Sequence, residues 1–257
     1  MKTVVLTNQK GGVAKTTTAY ALAAGLRNKG YRVLIVDADP QSNLTYTAGN
    51  EENKEHTLYD VLKGSCTVQE AMRNTHPLDT AMSILSIGLA GTAADMELAS
   101  RTAREYMLKE ALEKVANDYD YCVIDTAPTL GLLTLNALTA ADRVIIPMNL
   151  EVYSLQGMEQ LSGFIENVKK YTNKDLIISG LLITKYNERQ NISKALMDNV
   201  EKAAKVMDTK VFNSKIRESV AVKEAQLLRS DIYTEAPKAT ATLDYMAFVD
   251  EFLSMEG

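Results

Sequence analysis

The sequence predicts an α/β fold: a doubly wound, mostly parallel sheet with helices on both faces. Three observations predict it. Short β-branched runs recur at residues 3–7, 32–36, 121–124, 143–147 and 176–184. Two of them, Val33-Leu34-Ile35-Val36 and Val144-Ile145-Ile146, are apolar throughout without alternation, as strands covered on both faces require. Between the runs, residues 16–29, 94–115, 154–171 and 192–207 carry apolar positions at helical spacing.

Taken in order, the first strand feeds QKGGVAKTT (residues 9–17) and then a helix over 16–29, which Lys29 and Gly30 terminate. The second strand runs out into DADPQSN. Residues 50–77 are less regular: short helices over 57–63 and 68–73, separated by polar turns, read as a peripheral helical insertion. After the helix over 94–115, the strand at 121–124 ends in VIDTAPTLG, and the strands at 143–147 and 176–184 alternate with the remaining helices. Without an internal repeat, low-complexity segment or Pro/Gly/Ser linker, residues 1–257 read as one domain.

Composition narrows the function classes. The 46% hydrophobic content suits a large core. A balance of 28 basic to 33 acidic residues, net -5, gives no global sign of nucleic-acid binding, so any such contact needs a local patch. Cys66 and Cys122 argue against a disulfide framework and form no zinc pattern; Cys122, inside an apolar run, reads as a buried thiol. His56 and His76 have no patterned partners. The chain opens directly into a strand-like run and has no apolar stretch near the ~18 residues that span a bilayer, so a cytoplasmic protein is expected.

In doubly wound sheets, ligands sit beyond the carboxyl ends of the strands, where the informative residues fall. QKGGVAKTT resembles a phosphate-binding loop, but Gln9 and Ala14 stand where G-x-x-x-x-G-K-[ST] has glycines. Backbone N–H groups from Gly11, Gly12, Val13, Ala14, Lys15 and Thr16 would surround phosphate oxygens at a helix N-terminus, with Thr17 continuing the cradle. Lys15 would neutralise β/γ oxygens and the Thr16 hydroxyl would hold Mg²⁺. Asp37 and Asp39 lie just past the second strand, and Asp125 ends the third as a direct or outer magnesium carboxylate. A lone strand-end Asp is commonly a turn or helix cap; three in this order, each after an apolar strand, point to a nucleotide with its metal.

KGGVAKTT, DADPQSN and VIDTAPTLGLLTLNAL together resemble the ParA/Soj/MinD group of P-loop ATPases, and within it the ParA-type DNA-partition ATPases. The likeness covers essentially the whole chain and is strongest over residues 1–45 and 119–147. In that group the loop begins K-G-G, so Gln9 is no defect, while Ala14 departs from the usual glycine. The resemblance implies ATP and Mg²⁺ as cofactors and a homodimer that forms around ATP, Lys10 reaching phosphates of the partner subunit; the plain alternative is a solvated loop cation. It implies that Asp39 sits near the attacking water, that Asp37 is on the magnesium side, and that Asp125 is the Walker B carboxylate. Residues 37–45 and 125–131 would be switch segments. Thr184 and Pro237 would flank the adenine, although Pro237 also fits the start of the last helix.

The resemblance further implies loose, sequence-independent binding to double-stranded DNA and release when a ParB-like centromere-binding partner accelerates hydrolysis; the ATP-bound form would be nucleoid-associated. Residues 185–223 hold nine Lys/Arg (185, 189, 194, 202, 205, 210, 215, 217, 223) against five Asp/Glu (188, 198, 201, 208, 218), net +4 in a chain of -5. A solvated mixed-charge helix face is the bland reading of that run. The family commonly has a basic residue and then Leu-x-Glu-Ala-Pro; here the run is SVAVKEAQ, with Ala221 and Gln226 at the departures, so Lys215, Arg217 and Lys223 become the candidate DNA contacts. Alternatives are a MinD-like membrane-cycling ATPase, a cargo-positioning relative, or a metabolic ligase or reductase on the same scaffold. The tail has no Lys/Arg after Lys238, and Leu243, Met246, Val249, Phe252 and Leu253 suit packing on the body better than an anionic bilayer. No membrane role and no extra N-terminal DNA-binding module are expected.

Overall fold

Apolar runs become the sheet and the intervening helical patterns cover it. A computed structural model describes residues 1–49, 56–76, 79–150, 154–187 and 193–256. The first half runs β1 (Lys2–Leu6), α1 (Lys15–Asn28), β2 (Val33–Ala38), α2 (Asn43–Thr47), α3 (Leu58–Lys63), α4 (Val68–Ala71), β3 (Arg73–His76) and β4 (Asp79–Ser86). A 3-10 turn over Leu89–Ala93 leads to α5 (Ala94–Glu97), α6 (Met107–Glu113), β5 (Tyr121–Thr126), α7 (Leu132–Ala140) and β6 (Arg143–Asn149). Then come α8 (Ser154–Tyr171), β7 (Ile177–Tyr186), α9 (Ser193–Val206), β8 (Val211–Arg217), α10 (Val220–Leu227), α11 (Ile232–Glu235) and α12 (Thr240–Ser254).

The described strands form one sheet in the order β3-β4-β2-β5-β1-β6-β7-β8. Every pairing is parallel except β3 with β4. The doubly wound expectation therefore holds, and its physical reason is visible in the strands. Val4 and Leu6 of β1, Val33 and Ile35 of β2 and Val123 of β5 enter one core beneath α1 and α12, with Leu22, Leu26, Phe248 and Phe252. Their neighbours Val5, Leu34, Val36, Cys122 and Ile124 enter the opposite core, with Leu138, Leu161 and Ile165. Strands buried on both faces have no polar side to alternate. Cys122 is a buried free thiol, its pKa driven up by burial.

Four local expectations need correction. The helix read over 94–115 is broken into α5 and α6. Asn136 interrupts it: its Oδ1 accepts Leu108 N at 3.0 Å and its Nδ2 donates to Arg104 O at 2.8 Å, while the Arg101 guanidinium donates to the carbonyls of Leu62 and Lys63. The helix read over 68–73 stops at Ala71, and Arg73 opens an edge strand. Strands β3, β4 and β8 join the sheet unforeseen. Finally, α12 buries Tyr245, Phe248, Val249 and Phe252, whereas Leu243 and Met246 face solvent. Residues 50–55 and 77 of the expected insertion, with Arg189, lie outside the described residues, as does the side chain of Lys194.

Candidate functional site

Register places the chemistry. Asp37 of β2 lies opposite Asp125 of β5, and Asp125 opposite Leu6 of β1, so two carboxylates and the start of the loop share the carboxyl edge of the sheet. The loop is pinned by Asn8, whose Oδ1 accepts Lys10 N at 3.0 Å and whose Nδ2 donates to Pro147 O of β6 at 2.8 Å. Gly12 has φ 74° and Ala14 φ 61°. Ala14 thus takes the left-handed conformation that glycine adopts freely, at a cost of ~1 kcal/mol for its Cβ. The loop tolerates this departure because the backbone, rather than the side chain, supplies the cradle.

Lys15 opens α1 and is almost fully buried, its Nζ donating to the Lys10 carbonyl at 3.2 Å. Burial lowers its pKa, and Asp125 and Asp39 act in the opposite direction. The Thr16 hydroxyl donates to Asp125 Oδ2 at 2.6 Å. Asp37 is wholly buried; its Oδ2 accepts Thr45 N at 2.8 Å and Thr45 Oγ1 at 2.7 Å, and its Oδ1 accepts Asp39 N at 3.3 Å. Burial pushes its pKa up to about 6 against those bonds. Asp125 is raised well above the carboxylate range, first by burial and then by the negative charge of Asp37.

A cleft of about 730 Å³ is lined by Gly11, Gly12, Ala14 to Thr17, Asp39 and Thr184, whereas Asp37 and Asp125 are buried and are not among its lining residues. Asp39 accepts Gln41 N at 3.0 Å, a turn that holds its carboxylate at the cleft wall. Thr184 does more than line it: its buried hydroxyl lies 3.1 Å from Val13 O, 3.2 Å from Met148 O and 2.8 Å from Asn149 Oδ1, tying β7 to the loop. Val13 is buried beneath the cleft. Pro237 is exposed between α11 and α12 and is not brought to the cleft; nor does it start α12, which begins at Thr240. Arg217 and Lys223 border the cleft, and Arg217 is held by Asp244 through bonds of 3.0 and 2.7 Å. The Lys215 amine lies over the Tyr186 ring, 5.0 Å from its centroid. Sequence reading missed Asn8, Thr45 and Tyr245; only Asn8, directly after the strand, carried a positional signal.

A divalent cation fits this donor set. Asp125 Oδ1 is buried without a hydrogen-bond partner while its other oxygen holds the Thr16 hydroxyl. A buried orphan carboxylate oxygen asks for a cation, and hard oxygen donors suit magnesium.

A family model described as an AAA domain matches residues 1–178. The sporulation initiation inhibitor protein Soj of Bacillus subtilis is 39% identical over 251 residues, 97% of each chain. The chromosome partitioning protein ParA of Myxococcus xanthus is 37% identical, covering 98% of this chain and 88% of that one. A Mycobacterium smegmatis cobyrinic acid a,c-diamide synthase, solved with a bound ATP analogue and magnesium, matches with TM-score 0.86 and 34% identity over 100% of this chain and 96% of its own. With likeness of this extent meeting a lysine-first phosphate loop and three strand-end aspartates, the chain belongs to the ParA/Soj family of ATPases.

Proposed function

We propose that this chain is a DNA-partition ATPase that binds ATP in the cleft, pairs with a second copy around it, and holds double-stranded DNA only while paired. The observation that carries the reading is the placement of the loop, Asp37 and Asp125 along one edge of the sheet, beside a cleft that the loop and Asp39 line. The backbone N–H groups of Gly11 to Thr16 bind the phosphates and Lys15 sits against the β/γ oxygens. Thr16, Asp125 and Asp37 would hold Mg²⁺, which when bound offsets phosphate charge. Asp39, fixed at the wall by its turn, orients the attacking water. Lys10, the first lysine of the loop, reaches the phosphates of a partner copy.

Because Asp244 neutralises Arg217, the DNA role falls to Lys223, exposed on α10, and to Lys215. Partner-stimulated release by a ParB-like protein follows from family membership. Against a membrane-cycling role, the large apolar side chains of α12 pack mainly into the core. The likeness to the M. smegmatis synthase favours one second reading, an ATP-dependent amide ligase. That reading requires turnover governed by a carboxylate acceptor and an ammonia donor.

The test combines gel filtration, ATP turnover and fluorescence anisotropy on a random duplex. ATP should produce a dimer and salt-sensitive DNA binding, and Lys10→Ala should abolish both while retaining nucleotide binding. A Lys10→Ala protein that still dimerises with ATP, or equal DNA affinity with and without ATP, overturns the reading.

A further inference from the structure

One wall of the cleft lies outside the phosphate-loop motif. Gln226 reaches from α10 to the first turn of α1, 209 residues away in sequence, and its Nε2 donates to the Thr17 hydroxyl at 3.1 Å. Both side chains line the cleft. A hydroxyl has one proton and two lone pairs. The amide occupies a lone pair, so the Thr17 proton is directed elsewhere, and no acceptor for it occurs among the described residues. An accepted bond also polarises a hydroxyl and strengthens the bond it donates. Thr17 directly follows Lys15 and Thr16 at a helix N-terminus, where an anion is favoured. Helix α10 otherwise has a shallow seat: Ala225 is its buried residue, while Val220 and Leu227 are exposed. The Gln226–Thr17 bond therefore adds little burial and much orientation.

We infer that Gln226 is a positioning residue whose carboxamide aims the Thr17 hydroxyl proton at the phosphates of a bound nucleotide. This rests on the nucleotide reading above. The polarity of the bond makes it testable, because a donor, a non-donor and an acceptor at position 226 have different consequences.

Calorimetric titration of the full chain with ADP and Mg²⁺ measures them. Gln226→Met keeps the bulk and removes the donor, and should weaken ADP binding about five- to tenfold. Gln226→Glu captures the Thr17 proton and sets a negative charge beside the phosphates, so it should lose more than Gln226→Met. Gln226→Lys restores a donor and should bind more tightly than Gln226→Met. In a Thr17→Val background, Gln226→Met should change affinity less than about twofold, the mark of coupling between the two. In turnover the loss should fall on KM for ATP rather than on kcat. Wild-type affinity in Gln226→Met, or an equal loss with and without the Thr17 hydroxyl, overturns the inference alone. A wild-type chain that binds no ADP overturns the nucleotide reading along with it.

Discussion

Asp37→Asn isolates the electrostatic cost built into the ligand-free site. Asp37 is wholly buried, and burial pushes its carboxyl up to about 6 from an ordinary 3.8. The sign follows from proton counting. Between those values the native state keeps the proton and the unfolded state releases it, so stability falls as pH rises. The full penalty, about two pKa units, is ~3 kcal/mol above pH ~6. Only the part below pH ~4.5, about 1 kcal/mol, is already present in mild acid. Asn carries no such term. Its amide would bring a donor toward Asp39 N, now bonded to Asp37 Oδ1 at 3.3 Å, a pH-independent cost of ~1–3 kcal/mol. Urea denaturation in chelator, without nucleotide, should show the variant weaker than wild type at pH ~4.5 and gaining ~2 kcal/mol relative to it by pH ~7.5. Relief of Asp125, whose carboxyl the Asp37 charge raises, adds to the gain in the same direction. A stability difference that does not vary with pH would refute the reasoning.

Two further predictions concern the supports of the site. Gly25 on α1 lies against α12 and α11: a Cβ there would stand 2.7 Å from Val249 Cγ2 and 2.9 Å from the Tyr233 hydroxyl. Gly25→Ala should therefore lose ~1 kcal/mol by chemical denaturation, overpacking outweighing the ~1 kcal/mol gain in helix propensity; a higher midpoint would contradict this. On α12, Glu251 accepts the backbone N–H groups of Asn213 and Ser214 at 2.8 Å each and so caps the edge of β8. Partial burial raises its pKa, but those bonds outweigh it and leave the carboxyl low. Glu251→Ala should cost ~1–2 kcal/mol at neutral pH after discounting for solvent screening. A depressed carboxyl gives stability that is present above its unfolded pKa and lost as pH falls through its folded one, so variant and wild type should converge in acid. A gap that does not narrow as pH falls would exclude the cap as the cause.

How far the sequence was legible depends on where the information lay. Strands β1, β2, β5, β6 and β7 could be read because both faces are largely buried and each carries a β-branched, mostly apolar run. β8 could not: in VFNSKIR only Phe212 and Ile216 are buried, and the polar residues between them look like surface loop. β4 hides its strand character behind Ser83 and Ser86, whose hydroxyls pair with Asn74 and Thr45. The false helix over 94–115 had the right periodicity, and bonds from Asn136 broke it, which no local window contains. The same division holds at the site. Lys15, Thr16, Asp37, Asp39 and Asp125 are legible because loop and strand ends are contiguous motifs. Gln226 and Tyr245 come to the cleft by tertiary placement alone, and Arg217 changes meaning once Asp244 is seen beside it.

Part of the strain and unmet bonding lies beside the phosphate loop and the strand ends. Among the described residues, the buried side-chain atoms with no hydrogen-bond partner include Gln9 Oε1, Ser42 Oγ and Asp125 Oδ1. Gln9 flanks the phosphate loop, Ser42 the Asp39 turn and Asp125 the magnesium side. Of the six non-glycine residues with positive φ among the described residues, Ala14 and Lys185 line the cleft and Ser42 sits between Gln41 and Asn43, which do; Ala103, Asp208 and Arg229 are not among its lining residues. Each costs of order 1–3 kcal/mol, and two buried carboxylates add mutual repulsion that Lys15 only partly offsets. A sequence selected for stability alone would avoid such costs, so those beside the loop and the strand ends fit a site where folding free energy has been given up for binding. A polyanion with a divalent cation would meet the charged part of these costs: phosphate oxygens for loop N–H groups and Lys15, a cation for Asp125 Oδ1 and Asp37. Ligand binding to such a site stabilises the fold by mass action. The buried, mutually repelling carboxylates of Asp37 and Asp125 are thus the part of the site whose cost a bound cation would relieve most.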